Sequence, residues 1–337
     1  MRLLVLGGTE FAGRAVAEAG LARGWEVTLF NRGRREGPRG TRALVGDRTR
    51  GEGLEALRGG EWDVVVDTWA SAPRGVRDAA RLLADRAGRY VYVSSCSVYA
   101  WPAAVGFDET APLVDGSPDA EDVPYAESKR GGELAAVAAF GEERSLLVRA
   151  GLLLGPWENI DRLPWWLRRI ARGGPVLAPG PRDNPLQYID IRDLAEWTLS
   201  AAEAGLAGPY NMASEQGHTT MEALLTACVR ATGSDAELRW TEPRVILEAG
   251  IEPWSQLPVW VPAAEAADLH NSVYRLSVAK ALAAGLRCRP VEETVADTWA
   301  WLRSADVSGL PRHVRATAGL APELEAKVLG TGTRTGR

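Results

Sequence analysis

Residues 1–35 read MRLLVLGGTEFAGRAVAEAGLARGWEVTLFNRGRR, and this stretch decides the fold. A short apolar run, Leu3–Leu6, stops at Gly7-Gly8. A helical pattern starts near Phe11, runs over Ala12–Arg23 and stops at Gly24, the residue type that ends helices. A second apolar run, Val27–Phe30, ends at Asn31-Arg32. Strand, glycine turn, helix, strand is the opening βαβ unit of a dinucleotide-binding fold, in which the turn amides and the helix N-terminus face a pyrophosphate. The spacing expected of the turn is G-x-x-G-x-x-G. Gly7 and Gly13 supply its first and last glycines, but Glu10 stands at the middle position. A carboxylate there is expected to weaken binding of an anionic cofactor unless Arg14 or Arg32 offsets it.

Outward from this unit, Arg42–Val45, Trp62–Asp67, Arg89–Val93 and Leu146–Val148 read as further strands. Leu54–Arg58 and Val76–Ala87 read as helices, as does the segment from Ala126 to Phe140. WDVVVD at Trp62–Asp67 is almost continuously apolar, which suits a parallel strand buried on both faces. The order predicts an α/β fold: a doubly wound parallel sheet (Rossmann fold) with a smaller C-terminal substrate-binding lobe. Ligands of such sheets sit at the carboxyl ends of the strands. Gly7, Asn31, Asp47, Asp67 and Ser95 all fall at such ends. Trp101–Pro124 reads as a long loop of functional character.

Beyond Gly155-Pro156 the pattern is mixed. Helices are expected near Leu163–Ala171, Asp193–Ala204, Met221–Thr232, Ala279–Ala284 and Val291–Trp301, and Leu186–Ile191 is strand-like. The expected division is a cofactor-binding domain at 1–155 and a lobe at 156–330, with about 186–205 returning to the sheet. Residues 331–337 read as a frayed tail.

With 337 residues and a net charge of -5, the composition is that of an ordinary globular protein and gives no reason to expect nucleic acid or a membrane as partner. Three cysteines and three histidines are too scattered for a metal site, so none is expected. The N-terminal apolar run passes straight into glycines, as a strand does and a secretory leader does not, and a cytoplasmic location is the expectation. Thirteen tryptophans, most of them beyond Val98, point to an aromatic-lined pocket as well as to core packing.

Two features carry chemistry. At the end of the second strand, where an acid would bind the ribose hydroxyl of NAD, stand Asn31 and Arg32, with Arg34 and Arg35 behind them. Guanidiniums without an acid suit a 2′-phosphate, so NADP(H) is favoured over NAD. Tyr125 and Lys129 lie four residues apart on one helix face. A lysine ammonium near a tyrosine lowers the phenol's pKa and lets it exchange a proton with a carbonyl or alcohol. Ser95, at a strand end, is placed to donate to the same oxygen.

Five segments occur in a fixed order: LVLGGTEFAG (Leu4–Gly13), VSSCSVYA (Val93–Ala100), VPYAESK (Val123–Lys129), LLGP (Leu153–Pro156) and QYIDIRDLAEW (Gln187–Trp197). Together they resemble the extended and atypical short-chain dehydrogenase/reductases, the NAD-dependent epimerase/dehydratase family. The resemblance implies that Ser95, Tyr125 and Lys129 are catalytic, with Lys129 also holding the nicotinamide ribose. It implies a cofactor site of Gly7, Gly8, Thr9, Glu10, Phe11, Gly13, Asn31, Arg32, Arg35, Asp47, Arg48, Asp67, Thr68, Trp69 and Ser94. In it, Asp47 lies beside the adenine and Arg48 nearby. It further implies a homodimer through the helix carrying Tyr125.

Two departures narrow the function. Cys96-Ser97 replaces the Asp-Glu pair of the sugar-nucleotide dehydratases, and Leu152–Leu154 stands where epimerases carry a phosphate-binding asparagine. Substrate contacts are expected from Cys96, Trp157, Asp161 and Arg162. The expected function is an NADP(H)-dependent oxidoreductase acting on a small carbonyl or alcohol. The alternatives are an epimerase or isomerase with tightly held NAD(P), and a non-catalytic nucleotide- or RNA-binding member of the family.

Overall fold

The computed structural model describes residues 1–50, 52–304 and 319–332. The first six strands are β1 (Arg2–Leu6), β2 (Glu26–Asn31), β3 (Arg42–Val45), β4 (Trp62–Asp67), β5 (Ala87–Ser95) and β6 (Ser145–Ala150). Short strands follow: β7 (Leu152–Leu154), β8 (Pro175–Pro179), β9 (Pro185–Leu186), β10 (Tyr188–Asp190), β11 (Gly208–Met212), β12 (Thr219–Thr220) and β13 (Glu237–Thr241). The main sheet has seven strands in the order β11-β6-β5-β4-β1-β2-β3, every pair parallel.

Alternation along these strands explains their continuous apolar character. Leu3, Val5, Val64, Val66, Val91 and Val93 face one core, which they share with α1 (Phe11–Ala22) and α5 (Ile191–Glu203). Leu4, Leu6, Val65, Tyr90 and Tyr92 face the opposite core, built with α2 (Arg74–Leu83) and α3 (Tyr125–Phe140). The doubly wound sheet is therefore as expected.

The lobe has its own core around α4 (Arg162–Ala171), α6 (Met221–Thr232) and α10 (Val291–Arg303). Helices α7 (Pro243–Glu248), α8 (Ala267–Tyr274), α9 (Ala279–Ala283) and α11 (Pro322–Gly332) complete the described elements. Trp166 and Trp260 are fully buried there, and each indole finds a carbonyl: Pro258 O at 2.7 Å and Gly180 O at 2.8 Å. These two rings are core rather than pocket wall.

Several boundaries differ from the sequence reading, each for a local reason. The expected helix at Leu54–Arg58 is only a 3-10 turn, Glu55–Leu57. The strand-like Leu186–Ile191 is two strands with different partners: β9 runs antiparallel to β12, and β10 parallel to β7. β11, with sequence GPYNM, has poor strand propensity but closes the sheet edge beside β6, where Pro209 is tolerated. α11 continues to Gly332, into the stretch read as a frayed tail, whose residues 333–337 lie outside those described. Among the described residues, no helix is long and apolar enough to cross a membrane.

Candidate active site

The turn after β1 is shaped by contacts that leave no room for side chains. A Cβ on Gly7, whose φ is +126°, would stand 2.6 Å from Thr68 Oγ1, and one on Gly13 would stand 2.5 Å from the Gly8 amide nitrogen. The backbone face of the turn is therefore bare. Helix α1 starts here with Glu10 as N-cap residue, and no side chain caps it. Its first amides are donors of the kind an anion satisfies.

Glu10 does not point at those amides. Its Oε1 accepts from Arg35 Nη1, and its Oε2 accepts from Asn159 Nδ2 at 3.2 Å. The expected offset by Arg14 or Arg32 is thus corrected. Arg14 bonds Glu18 at 2.8 Å and lies 3.7 Å over the Trp157 ring, while Arg32 lies with Arg34 at the ends of β2 and β3.

At those strand ends a hollow of about 430 Å³ is lined by Arg32, Arg34, Asp47, Arg50 and Glu52. Asn31 Oδ1 turns back to accept from the Gly33 amide at 2.8 Å. The Thr49 hydroxyl and amide bond Asp47 and hold its carboxyl below the usual range. Arg48 and Asp67 are not in this hollow. Arg48 Nη1 donates to both Asp67 oxygens at 3.0 and 2.9 Å, the Tyr90 hydroxyl donates to Asp67 at 2.5 Å, and Asp67 is wholly buried. This pair, with the Arg48 guanidinium 4.8 Å from the Trp69 ring centre, shapes the wall from behind. Thr68 and Trp69 form its surface.

A larger cleft of about 1080 Å³ opens at the carboxyl ends of β4 and β5, beneath the lobe. Glu10, Phe11, Thr68, Trp69, Ser94, Ser95, Cys96, Tyr125 and Lys129 share it with Arg162. The Ser94 hydroxyl is buried there and has no hydrogen-bond partner among the described residues. The Ser95 hydroxyl donates to Ser97 Oγ and accepts from the Ser97 amide, both at 3.1 Å. Tyr125 begins α3 and is half-exposed to the cleft. One turn on, Lys129 is buried, donates to the Trp69 and Val93 carbonyls at 2.7 and 2.8 Å, and lies 6.0 Å from the Tyr125 ring centre. Burial lowers its ammonium to about 7, although Asp67 and Glu133 pull the other way. Bare turn, uncapped helix, orphaned Ser94 hydroxyl and placed ammonium together fit a dinucleotide cofactor.

On the substrate side the expected residues divide. Cys96 lines the cleft, but its Sγ donates to Arg149 O at 3.1 Å and burial pushes the thiol up to about 12, so it is no nucleophile at neutral pH. Arg162 lines the cleft, 4.8 Å over Trp254. Trp157 does not: it packs between Arg14 and Trp301, 5.7 Å from the latter ring. Asp161 is drawn away into an ion pair with Arg168. The walls not singled out from sequence are Tyr99, Trp101, Phe107, Asn159 and Trp254. The tryptophan surplus signalled this, but which tryptophans face the cleft depends on lobe packing.

Glu158, beside this wall, is buried, and its carboxylate accepts from the Arg162 and Leu163 amides at 2.7 and 3.2 Å. Burial raises its pKa from 4.5 to about 7. A carboxyl raised on folding favours the folded state below its unfolded value and loses that contribution as pH rises through the folded one. Glu158→Gln removes the buried charge but keeps an oxygen for only one of the two amides, so at pH 8 it is expected to stabilise the protein by less than the roughly 3 kcal/mol that the shift alone would give. The gain should fade as the pH falls toward 4.5, which urea midpoints across that range will measure.

The family described as NAD dependent epimerase/dehydratase matches residues 62–213. A UDP-glucose 4-epimerase of Thermus thermophilus, solved with NAD, is 22% identical with a TM-score of 0.63, over 90% of this chain and 100% of that one. A UDP-glucose 4-epimerase of Thermotoga maritima, solved with UDP-glucose, is 18% identical with a TM-score of 0.63, over 90% and 99%. A curated relative, the chloroplast stem-loop binding protein of 41 kDa b of Arabidopsis thaliana, is 24% identical over 73% of this chain. The chain spans 65% of that relative's length. Residues 62–213, a little under half of the chain, match the epimerase/dehydratase family's model, and the solved epimerases share the chain's fold.

Proposed function

We propose that this protein is an NAD(P)-dependent enzyme that interconverts a carbonyl and an alcohol on a small molecule, with Tyr125 exchanging the proton. The observation that carries this is the meeting of Ser95, Tyr125 and Lys129 in one cleft with the bare, uncapped turn at Gly7–Gly13. A bound nicotinamide supplies or accepts the hydride. Ser95 donates to the reacting oxygen, and Lys129 in its charged form favours the Tyr125 phenolate.

The preference for NADP(H) is supported by Arg32, Arg34 and Arg50 around the strand-end hollow and by the neutral Asn31. A second reading, an epimerase that keeps its cofactor, is favoured by the solved relatives named epimerases. Leu152–Leu154 weighs against a nucleotide-sugar substrate for it. The stem-loop binding relative suggests nucleic acid, against which the net charge of -5 speaks.

Fluorescence titration with NADPH and NADH tests the reading. NADPH is expected to bind more tightly. Binding of neither would remove the enzymatic reading, and tighter NADH would remove the role of the basic hollow. Nicotinamide released on denaturing the purified protein would favour the epimerase.

A further inference from the structure

We propose that Glu10 is a positioning residue for the cofactor: it holds Arg35 as a phosphate ligand over the glycine turn. The inference rests on the functional reading above and adds to it a role for the one residue that breaks the glycine pattern.

Three observations carry it. First, Glu10 stands at the start of α1 but leaves the α1 amides free of any side-chain cap, so it does not occupy the anion site of the helix. Second, its carboxylate is held from both sides, by Arg35 from the segment after β2 and by Asn159 from the lobe. Asn159 takes Oε2 and leaves Oε1 facing Arg35. Third, Glu10, Phe11 and Ala12 line the cleft together with Arg32, and Arg32 also lines the strand-end hollow. The ion pair thus ties the turn to the segment after β2 that also carries Arg32, the arginine common to both cavities.

The electrostatics follow. A lone carboxylate at the turn would repel a pyrophosphate, but an ion pair is neutral as a unit. A guanidinium carries five N–H donors. Arg35 meets Glu10 through Nη1, so its other nitrogens can donate to a phosphate oxygen without leaving the carboxylate. Arg35 is thereby fixed in place instead of sweeping solvent, and less of its rotamer freedom remains to be lost on binding. Glu10 acts only through Arg35.

The test is a double-mutant cycle on NADPH binding, read by fluorescence at low and high salt, with melting temperature as a control for folding. Glu10→Gln and Arg35→Met are each expected to weaken NADPH about tenfold with unchanged melting temperature, since charge-assisted bonds are of that order. Their effects should not add, and the salt dependence should become shallower in Arg35→Met, which loses a positive charge, and steeper in Glu10→Gln, which loses a negative one. Glu10→Gln binding NADPH as tightly as the native protein, or more tightly, would show a merely repulsive carboxylate and overturn the inference. Additive losses would overturn it as well. If the native protein bound neither NADPH nor NADH, the functional reading would fall first and take this inference with it.

Discussion

Tyr125→Phe should lower turnover roughly 100- to 10,000-fold while leaving the NADPH and NADH titration curves where they were. The substitution removes one oxygen from a half-exposed ring at the first residue of α3, so neither packing nor the glycine turn is disturbed. The loss should fall on the rate constant, because the phenol is asked to move a proton while binding is carried by the turn and the strand ends. Ser95 and Lys129 remain in place in the variant and cannot replace the missing hydroxyl: Lys129 is engaged with the Trp69 and Val93 carbonyls. A variant that keeps near-native turnover in a screen of carbonyl and alcohol substrates would remove Tyr125 from the mechanism.

The second large effect concerns stability. Arg149, on β6, donates to both oxygens of Glu133, on α3, at 2.8 and 3.0 Å, and both side chains are buried. The same guanidinium donates to the Tyr99 hydroxyl at 3.0 Å and to Glu109 O at 3.3 Å. Arg149→Met strands a buried carboxylate and should cost about 3 kcal/mol, toward the lower end for such pairs because Arg130 still bonds Glu133 at 3.1 Å. Arg149→Met combined with Glu133→Leu removes both charges and should recover much of that loss. Urea unfolding of the two variants measures the difference. Equal destabilisation by both would mean that the stranded charge is not the cause.

Much of this molecule is legible from local pattern. The apolar runs facing two cores read as strands, the Gly7–Gly13 turn reads as a phosphate cradle, and the Tyr125–Lys129 spacing puts both side chains at one helix end. What escaped depends on contacts between distant segments. GPYNM becomes a strand only because β6 offers it an edge. Arg35, rather than Arg14 or Arg32, meets Glu10 because of the path of the chain after β2, which no periodicity encodes. Trp157 and Trp254 look alike as letters, yet one is half-buried between Arg14 and Trp301 while the other turns to the cleft. The lowered pKa of Lys129 comes from its burial against strand carbonyls and needed the folded sheet to be seen.

The split run at Pro185–Asp190 has a consequence for how this chain can vary. Leu186, Gln187, Tyr188, Ile189 and Asp190 are all buried, and Gln187 bonds Ser214 O, Leu276 O and the Leu276 amide. One side of this seam is stitched to the lobe through β12, the other to β7 beside the main sheet. Alternate strand residues face opposite ways, so a one-residue slip would turn every side chain of the seam to the wrong partner. The chain can therefore tolerate changes of length in the loops on either side of the seam but not within it, and so the lobe can diverge while its attachment to the sheet stays in one frame.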